Sequence, residues 1–149
     1  MSDLDRLRVI KMPFGARSIR LPILSKCRNS LKELRLEDCG TEANATPIGE
    51  CSELEVLHTR SAVCSRLQDI VGGLPKLRDC QFSCSSSLTN EGVISLAMSC
   101  PGLETLRLHD SRGISDAAIA SLVQCRALKE WYLSSNWQVT DATFTGIAE

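Results

Sequence analysis

The sequence is poor in aromatic residues: two tryptophans, one tyrosine and three phenylalanines among 149 residues. A core built without them must be thin and made of leucine, isoleucine and valine layers, which suits the 43% hydrophobic content. Net charge is almost absent, −1 from 17 basic and 18 acidic residues, so no electrostatic footprint for nucleic acid or an anionic membrane follows. No apolar run approaches the roughly 18 residues of a membrane span. Met1 to Arg8 carries both signs of charge and no apolar core follows it, unlike a secretory signal. Arg6, Arg8, Lys11, Arg17 and Arg20 are spaced as in a mitochondrial presequence, but Asp3 and Asp5 oppose that reading. His58 and His109 are the only histidines. Cys80 and Cys84 lack the second closely spaced pair that a zinc site needs. There is no G-x-S-x-G elbow, P-loop or G-x-G-x-x-G. The sequence therefore predicts no catalytic residue, no metal and no cofactor.

What is present is repetition. From Cys100 to Cys125, Leu103, Leu106 and Leu108 form a triad at 3-then-2 spacing, the alternation of a short strand. Ile114, Ile119, Leu122 and Val123 then follow the 3–4 spacing of an amphipathic helix, with Ser115 at its N-cap position. The next unit places Leu128, Trp131 and Leu133 in the triad, and the one before it Leu77, Cys80 and Phe82. Leu88-Thr89-Asn90, Ile114-Ser115-Asp116 and Val139-Thr140-Asp141 align as helix starts. Earlier triads are Leu54, Leu57, Thr59 and Leu31, Leu34, Leu36, with a frayed one at Leu4, Leu7, Val9. The first residues of these triads lie 27, 23, 23, 26 and 25 apart. Units of this size cannot bury their own apolar faces and must stack on one another.

Proline and glycine set the return legs. Pro22 is expected to prevent a regular helix in the first unit. The leg from Gly40 to Cys51 holds Pro47 and Gly49 and predicts a loop or one helical turn. The third unit returns through Leu67, Ile70 and Val71 to Gly72-Gly73, read as a left-handed helix stop. Of the eight cysteines, Cys27, Cys51, Cys100 and Cys125 fall at junctions between units. Cys39 shares the position after the strand with Met12, Ala62, Ser85, Ser111 and Asn136, where a small side chain turns inward and meets turn backbone. Buried thiols of this kind behave as small hydrophobes, and a reducing compartment, cytoplasmic, nuclear or mitochondrial, is their natural setting.

The pattern C-x-x-L-x-x-L-x-L-x-x-C followed by I-S/T-D resembles the cysteine-containing leucine-rich repeats of F-box/leucine-rich-repeat proteins. The likeness is strong for Leu77 to Ala148 and Cys27 to Cys39. It implies an α/β fold, a right-handed horseshoe segment of about five to six repeats. Its parallel sheet would form the concave face, with helices and loops on the convex one. One domain, residues 1–149, would hold an irregular first repeat over 1–26 and repeats starting near Cys27, Cys51, Leu74, Cys100 and Cys125. No F-box-like helical module precedes Leu31. Neither end has a polar-faced cap, which predicts a longer solenoid or neighbours covering Phe144 and Ile147.

Residues between triad leucines would stand in columns on the concave face. The central column is Arg8, Arg35, His58, Gln81, Arg107, Tyr132. One neighbour is Arg6, Glu33, Val56, Asp79, Thr105, Glu130; the other is Ile10, Glu37, Arg60, Ser83, His109, Ser134. A basic and aromatic stripe thus lies beside a column with three acids, so cross-strand pairing competes with partner contact. Arginine and tyrosine are typical interface anchors. The expected partner-binding residues are Arg8, Arg35, Glu37, His58, Arg60, Gln81, Arg107, His109 and Tyr132, with Trp137 a candidate anchor at the open end. The expected function is non-catalytic protein recognition, as the resemblance to ubiquitin-ligase receptors implies. The alternative is a small structural subunit of a large assembly, a mitochondrial one included.

Overall fold

The computed structural model describes residues 3–12, 22–37, 45–60, 62–83, 87–136, 138–141 and 143. Six strands form one parallel sheet in sequence order: β1 (Val9–Met12), β2 (Glu33–Leu36), β3 (Val56–Arg60), β4 (Asp79–Ser83), β5 (Thr105–Leu108) and β6 (Glu130–Leu133). Short helices alternate with them: α1 (Pro22–Cys27), α2 (Thr46–Gly49), α3 (Leu67–Ile70), α4 (Asn90–Ser99) and α5 (Asp116–Ala120), with 3-10 turns extending several return legs.

The core lies between sheet and helices. From β2 to β5 one face buries Leu34, Leu36, Leu57, Thr59, Cys80, Phe82, Leu106 and Leu108, while the residues between them stay partly open. The helical layer contributes Leu24, Ile48, Leu67, Ile70, Val71, Val93, Leu96, Ala97, Ile119 and Leu122, all buried. Val123, expected inward, is 56% exposed, and Met98 on α4 is 72% exposed. The inward residues of the edge strands, Ile10, Met12, Trp131 and Leu133, are only half-buried.

The units are tied at three levels. Before the strands, single carbonyls each accept two N–H groups of the next unit: Arg8 from Lys32 and Glu33, Lys32 from Glu55 and Val56, Glu55 from Arg78 and Asp79, Arg78 from Glu104 and Thr105, Glu104 from Lys129 and Glu130. These forks recur every 24, 23, 23, 26 and 25 residues. After the strands, Asp110 and Ser135 occupy matching positions with φ of 54° and 55°. Ser111 beyond the first is fully buried, and Asn136 beyond the second donates from Nδ2 to the carbonyls of Ser111 and Ile114, both at 2.7 Å. This is the inward polar position expected of the column containing both.

At the helix starts, Thr89 caps α4 by accepting from Gly92 N–H at 3.2 Å. Ser115 occupies the same place before α5 but makes no cap bond. Its hydroxyl instead accepts from Asn90 Nδ2 at 2.9 Å, and its N–H donates to Asn90 Oδ1 at 3.0 Å. The next rung repeats the arrangement: Asp116 accepts from Thr140 N–H at 2.8 Å, from Thr140 Oγ1 at 2.6 Å and from Thr143 Oγ1. These bonds hold the Asp116 carboxyl below its ordinary range.

Three expectations are corrected. The first triad is not Leu4, Leu7, Val9: Ile10 pairs with Leu34 and Met12 with Leu36, so the triad is Leu7, Ile10, Met12. Both trios have 3-then-2 spacing, but Asp3–Arg6 closes a 3-10 turn. The shift makes the first step 24 rather than 27, and Met12 becomes a core residue rather than part of the turn column. Pro22 begins α1 instead of preventing it, because the first helical turn needs no N–H from that residue. Gly72 and Gly73 do not adopt the left-handed conformation. Gly73 is instead a point of close approach, where a Cβ would fall 1.7 Å from the Gly49 carbonyl oxygen.

Candidate interaction face

The pleat that buries the triads leaves the intervening side chains on the open face of the sheet. In-register pairing places Lys11, Arg35, His58, Gln81, Arg107 and Tyr132 side by side across the six strands. Lys11 takes the place expected for Arg8. Arg8 lies just before β1, exposed, and contributes its carbonyl to the first fork. The cause is the three-residue shift of the first unit. The same shift places Val9, rather than Arg6, beside Glu33, Val56, Asp79, Thr105 and Glu130. Ile10 leaves the column of Glu37, Arg60, Ser83, His109 and Ser134 for the core side.

The basic stripe and the acidic column interlock as a relay of opposite charges. Lys11 Nζ lies 3.0 Å from Glu33, which also accepts from Arg35 Nε at 2.6 Å. Both cations depress the Glu33 carboxyl, the Arg35 hydrogen bond most. Arg35 Nη1 lies 3.0 Å from His58 Nδ1. Because a guanidinium can only donate, Nδ1 must accept, which puts the neutral ring's proton on Nε2. His58 Nε2 lies 3.1 Å from Asp79 Oδ2 but outside hydrogen-bonding direction, so this buried nitrogen makes no hydrogen bond. Asp79 continues to Arg107 at 3.2 Å, and Arg107 to Glu130 at 3.5 Å. His58, with 15% of its side chain exposed, is an internal member of the relay rather than a solvated residue. Arg35 and Arg107 are likewise engaged.

Beyond the relay, towards the C-terminal ends of the strands, lies a groove of about 440 Å³. Glu37, Arg60, Gln81, Ser83, His109 and Asp110 line it, above His58 and Arg35. A second hollow of about 600 Å³ between β5 and β6 shares His109 and is walled by Trp131 and Tyr132. The His109 and Tyr132 rings meet at 5.1 Å, tilted by 44°, and Tyr132 is 52% exposed. The structure thus gathers Glu37, His58, Arg60, Gln81 and His109 around one groove, with Arg35 at its floor. Arg107 and Tyr132 belong to the second hollow. Arg8 lines neither. Trp137 lies outside the described residues, as do Cys39, Cys84, Phe144 and Ile147. Asp110 was not singled out in the sequence; it is a polar residue directly after the strand, a position that gives no signal until the turn is known.

The six described cysteines, Cys27, Cys51, Cys64, Cys80, Cys100 and Cys125, are buried thiols outside any disulfide. The Cys100 thiol donates to the Leu74 carbonyl at 3.4 Å and Cys125 to Ala97 at 3.7 Å, joining units through the core. Burial pushes the Cys51 and Cys100 thiols up to about 12, with neighbouring Cys27 and Cys125 adding to the shift in turn. Among the described residues no group of three or more His, Cys, Asp or Glu side chains is placed to hold a metal. No described helix is long and apolar enough to cross a membrane. No protein-family model matches the chain, and no curated protein matches it at a significant level.

Proposed function

We propose that the chain is a cysteine-containing leucine-rich-repeat solenoid, right-handed and of five to six repeats. In this reading it is a non-catalytic recognition module that binds another protein on the open face of its sheet. The observation that carries the reading is the in-register stack: six strands, each offset by 23 to 26 residues from the last, present one row of unburied side chains per column. Strand–crossover–strand connections in one parallel sheet are right-handed almost without exception. Such a surface is long, rigid and preformed, which lowers the ordering cost of binding an extended partner. The relay fixes side-chain positions across it. The likeness to the repeat part of F-box-type ubiquitin-ligase receptors supports a substrate-reading role. Buried free thiols suit a reducing compartment.

A second reading is favoured by the edge strands, whose inward residues Ile10, Met12, Trp131 and Leu133 are half-buried. Here the chain is a structural subunit whose edges pack against neighbours in a larger assembly.

Arg35 and Arg107 are poor sites for a test, because reversing either charge breaks the relay. Gln81 and Ser83 lie outside it, and tryptophan at both adds bulk without charge. Capture of partners from native lysate is compared for the unaltered chain, Gln81→Trp with Ser83→Trp, and Met98→Glu with Val123→Glu on the helical side. Loss with the tryptophan pair and retention with the glutamate pair is expected. Retention with the tryptophan pair overturns recognition by the open face and favours the structural-subunit reading.

A further inference from the structure

The composition of the stripe suggests an acidic partner; the pairing within it argues the opposite. Each described basic side chain along the groove is engaged. Arg35 is held by Glu33 and His58, while His58 lies between Arg35 and Asp79. Arg60 and His109 also have interactions of their own. The carboxylates of Glu37 and Asp110, at opposite ends of the same groove, form no ion pair or hydrogen bond among the described residues. Both are exposed. Between them the half-buried Gln81 and Ser83 offer a side-chain amide and a hydroxyl without hydrogen-bond partners among the described residues, groups of the kind that read peptide backbone. At the β6 side the exposed Tyr132 ring presents a π face for a cation.

We infer that this groove binds an extended peptide segment carrying basic side chains. Its cations meet Glu37 and Asp110, and its backbone crosses Gln81 and Ser83. The inference rests on the open face being the recognition surface and adds the charge of what is recognised. An acidic segment would have to displace Glu33 or Asp79 from the arginines, breaking pairs already made. A basic one uses only groups the fold leaves unpaired. Because the carboxylates are exposed, the attraction steers encounter and weakens with salt.

The test uses the full chain, labelled with nitrogen-15, and two end-capped peptides of equal length, one of Arg-Ser repeats and one of Glu-Ser repeats. Amide shifts are followed on titration at low and at physiological salt. The Arg-Ser peptide should shift Gln81, Ser83, His109 and Asp110, and the Glu-Ser peptide should not. Glu37→Gln with Asp110→Asn should weaken Arg-Ser binding by about tenfold or more. Asparagine tolerates the left-handed backbone of Asp110, so the turn survives. Unaffected binding in that variant, or no groove shift with either peptide, overturns the inference. Groove binding by the Glu-Ser peptide refutes the charge assignment yet leaves recognition by the face standing. Failure of that broader reading shows separately, as undiminished capture by the tryptophan variant.

Discussion

Gly73 has no room for a methyl group, while Gly72 beside it has nothing within 4 Å of where a Cβ would stand. The two form a matched test of close packing. Gly73→Ala must push the return leg of the third unit off the Gly49 carbonyl and is expected to cost about 3 kcal/mol or more. Gly72→Ala is expected to lie within about 1 kcal/mol of the unaltered chain, on the stabilising side if unfolded-state entropy dominates. Urea melts of both variants measure the difference. The sequence marks this glycine pair as special but gives the wrong reason. A left-handed stop can be read from one segment, whereas a backbone contact between residues 49 and 73 exists only after stacking. The thiols make the converse case: the junction positions of Cys27, Cys51, Cys100 and Cys125 and the triad position of Cys80 predict their burial, and Cys64 is buried as well. Six of the eight cysteines should therefore be silent to Ellman's reagent in the native state and react on unfolding. More than two fast native thiols would contradict the core described here.

Strand register was legible wherever the spacing of apolar residues admitted one solution. From β2 to β6 the triads fall where the sequence puts them, since a slip by one residue would turn every leucine to the open face. In the first unit two overlapping trios satisfy the same spacing, and only the pairing with β2 decides between them. Helix starts carry a subtler lesson. Ser115 has the residue type and position of a cap, yet its hydroxyl is committed to Asn90 of the preceding unit. Asn90→Ala removes both bonds of that rung and should cost about 1 kcal/mol. Thr89→Ala, which removes a genuine cap on the same helix, should cost a similar amount by a purely local route. A double-mutant cycle of Asn90→Ala with Ser115→Ala separates the two cases: the first pair should couple, while Thr89→Ala should add independently to Ser115→Ala. Additivity between Asn90 and Ser115 would mean that the rung contributes nothing.

At the scale of the molecule the main surprise is electrostatic. The columns of the open face could be written from the sequence, but not the allocation of charges among them. That allocation depends on which way each arginine leans across its strand. It has a pH signature. Glu33 is held low by Arg35 and Lys11, Glu55 by Lys32, Glu104 by Lys129 and Arg78, and Asp116 by Thr140 and Thr143. For carboxyls depressed in the folded state, the stabilisation is complete above the ordinary carboxylate range and is lost as pH falls through it to the lower folded values. Thermal melts should therefore show stability dropping below about pH 4.5. Added salt should narrow the effect, because these pairs are largely exposed. The alkaline side runs the other way. Cys51 and Cys100 keep their protons to about 12, while the unfolded chain releases them near 9, so stability should also decline between those values. A flat profile from pH 7 down to 3 would show that these four carboxyls add nothing to the fold.

The forks that join each unit to the next have a mechanical consequence. Among the described residues every strand bonds only to the strand before or after it, and none closes the row upon itself. Such a row resists shear poorly at its two margins and well in its middle, as a zipper does. Drawn apart along its length, it should open one unit at a time from an edge strand. Each event would free 23 to 26 residues, or roughly 80 Å of extended chain at ~3.3–3.6 Å per residue. A force trace on the tethered molecule would then count the repeats directly, one tooth per unit.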